Sequence, residues 1–189
     1  MTTQNDEDTR SLVRSFLAAF PYAALWTTEL HETVLIGSLA PIELDARQIA
    51  SRFHQPKVAA ALAEVGVKSP AALLAAWVMD RDGLVRYAGD APMVTDDRPR
   101  IECAAWVRPD EITRVLPELL AYRTPVPVGG ADTALLADIE EQRNSLLAFY
   151  AAGISAYNHD RDSWQKEISA ALQNNQDDPY YQWILGDGR

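Results

Sequence analysis

The chain is short of cysteine, histidine and cationic residues, and each shortage removes a class of function. One cysteine, Cys103, in 189 residues has no partner for an internal disulfide, and three histidines offer no Cys/His spacing that suggests zinc. A reducing, cytoplasmic setting is the expectation. Lys plus Arg number 17 against 27 Asp plus Glu, a net charge of −10, and this balance repels phosphate backbones and anionic membrane surfaces. Nucleic acid is not an expected partner. No apolar run approaches the ~20 residues of a membrane span, and the polar, acidic stretch Met1–Asp8 has no apolar region of the kind a leader uses. Direct membrane insertion is not expected. Glycine is missing where nucleotide chemistry needs it. The only G-x-G is Gly186-Asp187-Gly188, with no helix to follow, and no Gly-x-x-x-x-Gly-Lys occurs, so neither a dinucleotide turn nor a phosphate loop is available. No cofactor and no metal site is expected.

What remains is good globular material. Hydrophobic residues make up 48% of the chain, enough to bury a core in one medium domain or in a domain with a helical appendage. Leu12, Val13, Phe16, Leu17 and Phe20 recur at helical spacing and predict an amphipathic helix over about 8–20, stopped by Pro21. Tyr22–Thr27 and Thr33–Leu39, rich in aromatic and β-branched residues, predict an antiparallel hairpin. Val34-Leu35-Ile36-Gly37 is continuously apolar, which suits a strand buried on both faces. Two strands bury too little alone, so the hairpin is expected to extend a larger sheet, supplied later in the chain or by another polypeptide.

Helices are expected from the Asp45 cap to about Phe53, from Pro56 to near Gly66, and from the Ser69 cap with Leu73, Leu74, Trp77 and Val78 on one side. Asp80–Gly83 breaks this block, and a short amphipathic piece reaches Ala88. Ile101–Val107 reads as a short strand and Pro109 opens a helix to about Tyr122. Thr124-Pro125-Val126-Pro127-Val128-Gly129-Gly130 is the clearest linker, stiff in its proline half and flexible in its glycine half. Beyond it, Asp132 caps a long helix carrying Leu135, Leu136, Ile139, Leu146, Leu147, Phe149 and Tyr150, with further helices around Trp164–Leu172 and Tyr180–Leu185. The expected organisation is 1–123, a linker over 124–131 and an all-α tail over 132–189.

The densest polar constellation is Thr95-Asp96-Asp97-Arg98-Pro99-Arg100-Ile101-Glu102. In an extended segment Asp96 and Asp97 point to opposite faces, so they do not share a proton as a catalytic dyad would. A binding role has one aspartate meeting a cationic amine while Arg98 holds the loop through a carboxylate. The architectural alternative has the same groups capping a turn or a neighbouring helix, with Pro99 fixing the backbone. His31, His54 and His159 stand apart from any triad or ligand spacing, Cys103 has no basic neighbour to activate it, and the five tryptophans sit at packing positions, with ligand stacking the alternative.

Phe20-Pro21-Tyr22-Ala23-Ala24-Leu25-Trp26, Val34-Leu35-Ile36-Gly37-Ser38 and Thr95–Glu102, in that order, resemble the C-terminal portion of spermidine-synthase-like proteins. The large bacterial members fused to membrane segments or tetratricopeptide-like helices are the nearest in kind. The resemblance covers roughly residues 10 to 105. It implies the last helix and closing hairpin of a methyltransferase-type fold, followed by a recurrent Thr-Asp-Asp-Arg-Pro stretch. Residues 132–185, with Tyr150-Ala151-Ala152-Gly153-Ile154 and Ala170-Ala171-Leu172, resemble a degenerate tetratricopeptide unit, although a stable array needs about three repeats.

Aminopropyl transfer, as the resemblance implies it, needs a Gly-rich donor-binding turn, an acidic residue on the ribose and an Asp-containing loop, all preceding the hairpin, and this sequence contains none of them. The expectation is an α/β, mostly α chain: an incomplete methyltransferase-like unit with a helical block and an all-helical tail. It would act as a non-catalytic or accessory part that completes a separately encoded donor-binding half, with Asp96, Asp97 and Arg98 toward a polyamine and no catalytic residue assigned; an active chain would be a polyamine aminopropyltransferase. The alternative is a helical protein-interaction module without enzymatic role.

Overall fold

The computed structural model describes residues 5–29, 32–95 and 109–173. In chain order the elements are α1 (Asp6–Ala19), β1 (Tyr22–Glu29), β2 (Glu32–Ser38), β3 (Leu44–Asp45), α2 (Ala46–Phe53), α3 (Pro56–Glu64), α4 (Pro70–Ala75), β4 (Trp77–Asp80), α5 (Arg81–Ala88), a 3-10 turn (Pro109–Glu111), α6 (Ile112–Ala121), β5 (Val128–Gly129), α7 (Thr133–Tyr157) and α8 (Arg161–Leu172). The fold is mostly helical, with small sheets. The chain divides into two compact units, Met1–Ile42 with Trp77–Val126, and Glu43–Ala76 with Pro127–Arg189. One break falls inside the 124–131 stretch, whereas 43–76 groups with the tail and not with the hairpin it follows. No described helix is long and apolar enough to cross a membrane.

In the first unit, α1 begins where Asn5 Oδ1 accepts the Asp8 amide at 2.8 Å, and Asp6, Glu7 and Asp8 complement the helix dipole in its first turn. At the other end Arg81 donates to the carbonyls of Leu17 at 3.2 Å and Phe20 at 2.7 Å, satisfying acceptors that a helix terminus otherwise leaves open. Pro21 then turns the chain into the hairpin.

The hairpin forms as expected, with Tyr22 opposite Ser38, Ala24 opposite Ile36 and Trp26 opposite Val34. A third strand, β4, pairs antiparallel with the other side of β1, with Leu25 opposite Met79, giving the order β2-β1-β4. Two expectations are corrected here. Trp77 and Val78 belong to β4, because the helix opened by Ser69 ends at Ala75 and an aromatic, β-branched segment follows that fits a pleated neighbour. The strand buried on both faces is β1, whose Ala23, Ala24 and Leu25 are 5%, 0% and 0% exposed. β2 alternates instead, with Val34 and Ile36 each 42% exposed, because it lies at the rim of the described sheet.

One face of the sheet packs on α1, α5 and α6 through Val13, Leu17, Leu25, Met79, Leu84, Tyr87, Val115 and Leu119. Gly37 lets α1 approach closely. A Cβ there would lie 2.4 Å from Phe20 Cγ and 2.7 Å from Phe16 Cζ.

In the second unit, Asp45 caps α2 by accepting the Gln48 amide at 2.7 Å, Ser69 caps α4 through the Ala72 amide at 3.1 Å, and Asp132 caps α7 through the Leu135 amide at 2.8 Å. Gly66, at φ +78°, follows α3 in the left-handed region that glycine tolerates. α7 and α8 form an antiparallel pair joined by the Ser155 hydroxyl, which donates to Glu167 Oε2 at 2.7 Å, and α4 packs on α7. The glycine half of the 124–131 stretch is held as well, since Val128 and Gly129 pair in parallel with Leu44 and Asp45.

Candidate functional site

Asp96, Asp97 and Arg98 lie outside the described residues, as do Cys103, His31, the Ile101–Val107 strand and the Tyr180–Leu185 helix. The chain leading to the acidic stretch is described. α5 ends where Gly89, at φ +52°, donates its amide to the Val85 carbonyl at 3.1 Å. The Val94 amide then donates to Ser15 Oγ at 2.7 Å, and the Ser15 hydroxyl donates to the Ser11 carbonyl at 2.9 Å. The approach to the Asp-Asp-Arg segment is thus fastened to the middle of α1, a link no local sequence pattern announces.

The other histidines take no part in a constellation. His54 is exposed at the end of α2, and His159 occupies the turn between α7 and α8 at φ +58°. Among the described residues no group of three or more His, Cys, Asp or Glu side chains could hold a metal ion.

A polar cluster that sequence reading missed joins α1, α5 and α6. Arg10 Nε donates to Asp6 Oδ2 at 2.6 Å, its Nη1 donates to the Tyr87 carbonyl and its Nη2 reaches Glu118 Oε2 at 3.4 Å. The guanidinium also stands 4.4 Å from the Tyr87 ring centroid, within cation–π range. Tyr87, 0% exposed, donates its hydroxyl to Asp6 Oδ1 at 3.1 Å. Burial first, and the Asp6 charge second, push the phenol well above its ordinary range. For Arg10, burial works against the charged form, but the hydrogen bond and charge of Asp6 outweigh it and raise its pKa. A phenol that holds its proton and a guanidinium locked by three oxygens have no proton to exchange near neutrality. The cluster fastens three helices together. Only its Asp6–Arg10 spacing of four was legible; Tyr87 and Glu118 arrive from far along the chain.

In the second unit a cleft of about 300 Å³ lies between Ser69–Ala71 and the α7 side chains Leu135, Asp138, Glu141 and Gln142. It offers the carboxylates of Asp138 and Glu141 and the Ser69 hydroxyl, whose oxygen accepts the Ala72 amide in the α4 cap.

The surface best formed for recognition is the outer side of β2. Val34 and Ile36 project from the face that also carries Ala24 and Trp26, and Trp26 meets Trp77 edge to face at 5.4 Å. Among the described residues β2 pairs only with β1, and it carries the exposed apolar side chains Val34 and Ile36. A sheet edge can accept a further strand. No family model, curated protein or solved structure matches this chain.

Proposed function

We propose that the chain is an accessory, non-catalytic part of a spermidine-synthase-like architecture, completing a donor-binding half that these residues do not contain. The observation that supports this reading is β2: a strand with Val34 and Ile36 each 42% exposed that, among the described residues, pairs only with β1 in a three-stranded sheet. In the proposed assembly a strand of the donor-binding half pairs with β2 and covers those side chains. Asp96, Asp97 and Arg98 then serve polyamine recognition, an aspartate meeting an ammonium group while Arg98 holds the segment. The chain that leads to them is fastened to α1 through Val94 and Ser15, close in sequence to Phe16, whose ring lies against Gly37 of β2. Chemistry resides with the partner, since aminopropyl transfer needs the donor-binding groups absent from this sequence.

The test is co-expression with a polypeptide carrying the Gly-rich donor-binding half of a spermidine-synthase-like protein. A stable complex that Val34→Lys with Ile36→Lys disrupts is the expected result. No complex with any such half, or one indifferent to both substitutions, removes the proposal. A second reading, a helical module that recruits an unrelated protein, draws on the α7–α8 pair, where Leu136 is 47% exposed. It is favoured instead if Leu136→Lys abolishes partner capture while the β2 substitutions do not.

A further inference from the structure

We draw no further inference here: the strongest candidate, the cleft of the second unit where Asp138 and Glu141 of α7 lie across from Ser69–Ala71, is an acidic cluster with no second observation among the described residues that points to a ligand.

Discussion

Tyr87 is 0% exposed and donates to Asp6 at 3.1 Å, so the fold holds its neutral form: burial and the Asp6 charge disfavour the phenolate more than the nearby Arg10 favours it. The sign of the pH effect follows. An unfolded tyrosine titrates near pH 10, the folded one well above that, so the stability Tyr87 supports is complete below about pH 10 and falls as the pH rises further, by up to ~1.4 kcal/mol per pH unit. Tyr87→Phe is expected to lose about 1 kcal/mol at neutral pH, the typical net worth of a hydrogen bond, and to flatten the alkaline decline. Urea melts on either side of pH 10 check both, and an identical alkaline slope in wild type and variant refutes the assignment. At this scale the sequence was a poor guide. Asp96, Asp97 and Arg98 are conspicuous because they are consecutive, whereas Asp6, Arg10, Tyr87 and Glu118 are scattered over more than a hundred positions, and only folding brings them together.

Elements were legible wherever a local signal closes locally. Asp45, Ser69 and Asp132 were read as helix caps, and each accepts the amide three residues on, because a cap needs nothing beyond one turn of chain. The boundary between α4 and β4 was not legible. Ala71 to Val78 is apolar throughout and fits a helix or a buried strand by pattern alone; pairing with β1 decides it. Thr124 shows what such a strand demands. Its amide donates to the Val78 carbonyl at 2.9 Å, while its Oγ1 accepts the Asp80 amide at 2.9 Å and faces Trp77 Nε1 at 3.4 Å. A residue that composition assigned to a stiff linker thus completes the free side of β4. Thr124→Val, nearly isosteric, removes the acceptor and strands the Asp80 amide, at an expected loss of about 1–3 kcal/mol. Thr124→Ser restores most of it. Thermal melts of the three proteins decide, and equal stability of Val and Ser variants counts against this role.

Across the whole chain, the two units interleave in sequence: 43–76 groups with the helical tail, and Trp77–Val126 with the N-terminal hairpin. A chain ending at Gly130 therefore removes α7, on which α4 packs, and uncovers buried residues such as Leu74, 0% exposed in the intact molecule. Strong binding of a hydrophobic dye by the truncated chain, absent from the full one, is the expected outcome; a truncated chain that stays dark shows that 43–76 buries its apolar face without α7. Sequence alone determined most of the described helical segments, the Asp45, Ser69 and Asp132 caps and the hairpin, since each depends on residues a few positions apart and on φ/ψ preferences that act locally. Tertiary structure alone decided that, among the described residues, β1 is flanked by β2 and β4, that Val34 and Ile36 stay exposed on β2, and that Thr124 and the Arg10–Tyr87 cluster are fastenings. Those outcomes depend on which distant segments meet, and burial, not local preference, chooses among the arrangements that local preference permits.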